Sequence, residues 1–149
     1  MSIRIVAAVI ERADRRLLIG QRRREDSSPL KWEFPGGKVK DGESLEQALA
    51  RELREELAVT LLRSVAISQV EHDYGGRMGS LSITFFAATI LEEVHPVAFE
   101  QVAWVLPREL AGYDFLTANQ RLIAELATGR IKPAELLAAG PQNATRDSH

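Results

Sequence analysis

The chain has 149 residues, 45% of them hydrophobic, with a net charge of −2, which is enough for one domain to bury about 68–70% of its unfolded surface. That charge, with a pI near 6.0, gives no electrostatic footprint for duplex nucleic acid, and the absence of cysteine excludes disulfides, thiolate chemistry and cysteine zinc sites. No run approaches 18 apolar residues and the amino terminus lacks a basic leader with a small-residue cleavage site, so no membrane association and a cytoplasmic protein are expected.

In chain order, residues 3–10 read as a buried strand, 13–16 as a turn and 17–21 as a second strand, together a candidate hairpin. Gly36 and Gly37 form a diglycine turn that leads into a helix over about 45–57. Ser44 with Gln47 three residues later spells a capping box, and Asp41, Glu43 and Glu46 favour the positive end of the helix dipole. Strands follow at 59–73 and 81–91, joined by a glycine-rich turn at 75–79, and then at 101–106. A last helix is expected over 118–127, with Thr117 and Gln120 as a second capping box, Gly129 as its stop and a core-facing stripe of Leu122, Ile123 and Leu126. Residues 133–139 suit a short helix, while 140–149 are polar and aperiodic, a frayed tail. The expected organisation is one domain over 1–131 and a partly disordered extension over 132–149. Strands with helices on opposite faces make an α/β protein, an α/β/α sandwich with a mixed β-sheet.

The densest chemistry lies in the 45–57 helix. Glu52, Glu55 and Glu56 are three and four residues apart, a spacing that converges on one helical face. Like charges so placed weaken an isolated helix by about a few tenths of a kcal/mol per pair, so a compensating cation is expected. Oxygen-only ligands select a hard ion, Mg²⁺ or Mn²⁺, which keeps part of its water shell and meets remaining oxygens on a substrate phosphate. Gly36 and Gly37 permit the close approach that brings a main-chain carbonyl to the same ion. The implied partner is a small nucleotide; the oligomeric state is left open.

The stretch from Gly37 to Val59 resembles the Nudix box: a glycine, five residues, Glu, seven residues, then Arg-Glu-aliphatic-x-Glu-Glu-x-Gly-aliphatic. Gly37, Glu43, Arg51, Glu52, Leu53, Glu55, Glu56 and Val59 stand in register. Ala58 replaces the family glycine at a left-handed helix terminus, at a cost of about 1–2 kcal/mol. The resemblance implies the Nudix α/β/α sandwich, spanning about residues 3–128, and metal-dependent hydrolysis of a nucleoside diphosphate linked to another group. It makes Glu52 the expected general base and also a ligand, with Glu55, Glu56 and the Gly37 carbonyl. Glu43 and Arg51 support them by pinning loop to helix. The plainer reading of Arg51 is a surface pair.

Outside the box, Trp32 to Lys38 resembles the segment that precedes it in MutT-type members, which hydrolyse 8-oxo-dGTP to the monophosphate and pyrophosphate. Asn119 matches an asparagine that reads the purine edge there, an amide being both donor and acceptor. Its competing reading is a polar first-turn residue. Phe34 suits either the base pocket or the core, Arg22 and Lys38 suit phosphate, and Arg77 matches another substrate-side position. Arg23 and Arg24 either join Arg22 or solvate a loop. For a further carboxylate, Glu100 is the nearest candidate, although Ala98 stands at the expected distance from Trp104. His72 and His95 have no metal-pair spacing. Hydrolysis of CTP, a methylated dCTP or a diadenosine polyphosphate is the alternative within the family. A non-catalytic nucleotide sensor is the alternative outside it, opposed by the complete set of glutamates.

Overall fold

The computed structural model describes residues 2–76 and 79–140. Among the described residues, seven strands and three α-helices run in the order β1 (Ser2–Ile10), β2 (Leu17–Gln21), β3 (Trp32–Glu33), β4 (Gly36–Lys38), α1 (Leu45–Leu57), β5 (Leu61–Gly75), β6 (Gly79–Ile90), β7 (Gln101–Val105), α2 (Gln120–Ala127) and α3 (Pro133–Ala139). One sheet has the order β4-β1-β6-β5 and the other β3-β2-β7. The first is mixed, since β1 runs parallel to β6 and antiparallel to β4.

Period-two alternation along β1 sorts the core into two halves. Val6, Ala8 and Ile10 join Ala48, Leu49, Leu53 and Leu57 of α1, whereas Ala7 and Val9 join Leu122, Ile123 and Leu126 of α2. The helices therefore cover opposite faces, as the sandwich requires. Each buried leucine of α1 contributes about 1.5–3 kcal/mol, well beyond the few tenths that carboxylate repulsion costs the helix. Packing holds α1 in place, and its acidic edge is free to serve chemistry.

Three local expectations change. Residues 13–16 do turn, with Arg12 N–H donating to the Arg16 carbonyl, but the flanking strands share only a Glu11–Leu17 bridge and diverge into separate sheets. The diglycine is strand, with Val6 opposite Gly37 and Ala7 opposite Gly36. Neither glycine has positive φ; what each provides is room. A Cβ on Gly36 would lie 1.9 Å from the Val6 carbonyl oxygen. The Thr117–Gln120 capping box does not form: residues Thr117–Asn119 make a 3-10 turn and α2 starts at Gln120 without a side-chain cap. Tertiary contacts explain this, since Leu116 N–H donates to the Trp32 carbonyl and Phe115 bridges Trp32, drawing the segment against β3. The 133–139 helix forms as expected, packs on β5 and β6, and is tied by Arg63, which donates to the Leu137 carbonyl. The tail expectation over 140–149 falls, beyond Gly140, outside the described residues. Among the described residues no helix is long and apolar enough to cross a membrane.

Candidate active site

The Ser44–Gln47 capping box forms in full, and Ala58 closes α1 in the left-handed conformation at φ 58°, ψ 41°. Between these ends Arg51 acts as a clamp. Its Nε donates to Glu43 Oε2 at 2.7 Å and one Nη to Glu43 Oε1 at 3.0 Å, a bidentate pair. The same guanidinium donates to the Lys38 carbonyl at 2.9 Å, to Glu52 Oε2 at 2.8 Å and to Glu55 Oε1 at 3.3 Å. Loop, β4 and helix are thus joined through one side chain. Arg51, with help from the Lys40 backbone N–H, holds the Glu43 carboxyl down to about 2, and Glu43, followed by Glu52, pushes the Arg51 value upward.

Glu52 lies against Gly37 so closely that a Cβ there would come within 2.4 Å of its carboxyl carbon. Glu56 turns inward, accepting from Gly36 N–H at 3.0 Å. Burial, followed by the charges of Glu52 and Glu33, pushes its carboxyl up to about 9. Glu55 points to solvent, its side chain 56% exposed and paired with Arg51. Among the described residues no three acidic, histidine or cysteine side chains form a ready metal cage. Two crowded carboxylates packed against the Gly36–Gly37 strand nevertheless fit a hard divalent cation: the donors are all oxygen, and the charge that makes Glu56 costly to ionise is what such an ion neutralises.

A cavity of about 270 Å³ opens beside this cluster, and its lining combines Glu56, Gly37, Lys38, Arg22 and Glu33 with Phe34, Phe85, Leu116, Ala118 and Asn119. Residues far apart in sequence thereby meet. Phe34 packs in the core, 5.5 Å from Phe115 and edge-on to Phe85, and also walls the cavity. Asn119 is 5% exposed, and its Oδ1 has no hydrogen-bond partner among the described residues. A buried acceptor left unmatched costs about 1–3 kcal/mol, so this atom awaits a donor. Arg22 is held by its own loop: Nε donates to the Ser27 carbonyl at 2.6 Å, and Nη2 donates to Ser27 Oγ at 2.9 Å. Its Nη1 faces Glu33 Oε1 at 3.3 Å.

Glu33 is the residue that sequence reading missed. Its carboxyl lines the cavity and burial raises it, against the opposing pull of Arg22. The available signal was an acid between two buried aromatics, Trp32 and Phe34, in an alternating strand. Arg23 turns away to the Val97 carbonyl, and Arg24, Ala98 and Glu100 do not line the cavity. Arg77 lies outside the described residues. His72 lines a neighbouring cavity and His95 donates its backbone N–H to Leu57, so the two histidines are not brought together.

The NUDIX domain model matches residues 1–137. The chain is 34% identical over 137 residues to the CTP pyrophosphohydrolase of Escherichia coli, covering 89% of this chain and 98% of that protein. It is 32% identical to the 8-oxo-dGTP diphosphatase of Haemophilus influenzae, over 83% and 90% of the two chains. A solved structure from work on MutT of Aliivibrio salmonicida and Vibrio cholerae superposes with a TM-score of 0.72 at 35% identity, covering 85% of this chain and 96% of that one. With the family model over nearly the whole chain and relatives above 30% identity, the chain belongs to the Nudix family of hydrolases.

Proposed function

We propose that this hydrolase cleaves a nucleoside triphosphate, with 8-oxo-dGTP or a related oxidised purine nucleotide preferred, to the monophosphate and pyrophosphate in the presence of Mg²⁺ or Mn²⁺. The observation that carries the purine preference is the buried, unpartnered Oδ1 of Asn119 in a cavity walled by Phe34. Guanine oxidised at C8 has an N–H at position 7, where guanine itself has only a lone pair. Asn119 Oδ1 accepts that hydrogen while its amide N–H donates to O6. Unoxidised guanine sets two acceptors against each other, a penalty of about 1–3 kcal/mol, or roughly tenfold to a hundredfold in selectivity.

Glu52 is the general base, oriented by Arg51 and by its seat on Gly37. The ion would be held by Glu52, Glu55, Glu56 and the Gly37 carbonyl, and when bound it supplies charge neutralisation for the phosphates and a lowered pKa for the attacking water. Glu43 fixes Arg51. Lys38, Arg22 and Arg77 are the substrate-side cations, with Arg22 exchanging its Ser27 and Glu33 contacts for phosphate oxygen.

CTP hydrolysis is the second reading, favoured by the nearly full-length match to a CTP pyrophosphohydrolase. A panel of 8-oxo-dGTP, dGTP, CTP, methylated dCTP and diadenosine polyphosphate, assayed with Mg²⁺ and Mn²⁺ and scored by kcat/KM, separates them. The expected winner is 8-oxo-dGTP, with Asn119→Ala erasing its advantage over dGTP and Glu52→Gln cutting turnover at least ~100-fold in a folded protein. Equal losses on both nucleotides in Asn119→Ala would make Asn119 structural, and metal-independent binding without turnover would return the chain to the sensor class.

A further inference from the structure

Beyond Asn119 lies a second cavity, of about 230 Å³, lined by Val70, His72, Leu81, Ile83, Thr117, Ala118 and Arg121. Ile83 and Ala118 also line the first cavity, so the two adjoin across these side chains. The floor consists of two cross-strand pairs, Val70 opposite Ile83 and His72 opposite Leu81, residues of one face of the β5–β6 ladder. Its rim comes from the 3-10 turn and the first turn of α2.

The charge here is one-sided. Among the described residues Arg121 contributes a permanent cation that makes no ion pair, and none of those lining the cavity is a carboxylate. Arg121 does not line the first cavity, so a bare base seated between Phe34 and Asn119 stops short of it. A base carrying a short side arm extends past Ala118 and Ile83 into the second space. There the arm meets the apolar side chains of Val70, Leu81 and Ile83, with His72 beside them, and Thr117 and Arg121 on the rim.

We propose that this second cavity is a subsite for a short acidic substituent on the nucleotide's base, with Arg121 as its specificity-determining residue. The substrate class so defined is nucleoside triphosphates with carboxyalkylated bases, taken in addition to simple oxidised ones. The proposal rests on the nucleotide reading given above and deepens it.

The test compares kcat/KM for dGTP with two matched pairs of derivatives: carboxymethylthio against propylthio at C8, and carboxyethyl against propyl at N2. In the wild-type protein the acidic member of at least one pair is favoured by about tenfold or more, the size of one charge-assisted hydrogen bond. Arg121→Glu abolishes or reverses that preference while dGTP stays within about twofold of wild type, because the parent base does not reach the residue. Arg121→Lys restores part of it. Failure to hydrolyse dGTP, 8-oxo-dGTP or CTP at all overturns the nucleotide reading and this one with it. Good turnover of the parent, with no acidic preference or with one that survives Arg121→Glu, overturns the subsite alone.

Discussion

Gly36 and Gly37 are chemically identical neighbours, yet the structure gives them separable jobs. A Cβ on Gly36 meets backbone, the Val6 carbonyl oxygen and the Ala7 Cα, neither of which yields cheaply. Gly36→Ala is therefore expected to lower stability by about 1–3 kcal/mol, as overpacking does. The atoms nearest to a Cβ on Gly37 all belong to the end of the Glu52 side chain, which can swing away. Gly37→Ala should leave the unfolding midpoint nearly unchanged and reduce kcat by about 100-fold, the cost of an ångström-scale misplacement; a stable and fully active Gly37→Ala protein would remove Glu52 from the chemistry. Glu43 allows a second test. Its folded pKa, about 2, is depressed from an ordinary 4.5 by Arg51, so the pair's stabilisation is complete above pH 4.5 and is lost as pH falls toward 2. NMR titration of the Glu43 carboxyl should give that low value in the wild type and a higher one in Arg51→Ala, still below 4.5 because the Lys40 N–H continues to donate to it, with the acid sensitivity of stability in this window correspondingly reduced. An unchanged Glu43 titration would break the clamp.

At the scale of elements, the legible features were those fixed within one turn of chain. The Ser44–Gln47 box and the left-handed Ala58 were readable because a cap depends on residues three or four apart. Thr117 and Gln120 carry the same local signal, but their segment is drawn onto β3 by Leu116 and Phe115, and tertiary bonds outweigh a cap of about 1 kcal/mol. The separation of β1 from β2 escaped for the same reason: strand partners are chosen across the whole chain. The cavity followed that pattern, with its residue types legible and its assembly from β3, β4, α1 and the turn before α2 not. Ala58 supplies the element-scale prediction. Its left-handed conformation costs about 1–2 kcal/mol, of which the greater chain entropy of glycine returns roughly half on substitution. Ala58→Gly should thus stabilise the protein by up to about 1 kcal/mol and raise Tm by about 2–4 °C without altering kcat. A lower Tm would show that the αL strain is relieved in some other way.

For the whole molecule, the open question is where the domain ends. Sequence composition placed the boundary after residue 131, yet α3 behaves as part of the body. Leu137 is 6% exposed, Arg63 donates to its carbonyl, and the Ala134 N–H donates to Glu11, whose side chain is only 9% exposed. Ending the chain at 131 strips all three contacts at once. Re-exposing Leu137's share of the core forfeits about 1.5–3 kcal/mol, a large part of a typical margin of about 5–15 kcal/mol, and it leaves Glu11 without its backbone donor. No residue of α3 lines the cavity beside the α1 carboxylates, so the expected loss is one of stability, not chemistry. Urea unfolding should show a midpoint clearly lower for the chain ending at 131 than for one ending at 140, while kcat per folded molecule is the same. Identical midpoints would return α3 to the status of an appendage; a fall in kcat at full folding would mean that the helix reaches the site through β5 and β6.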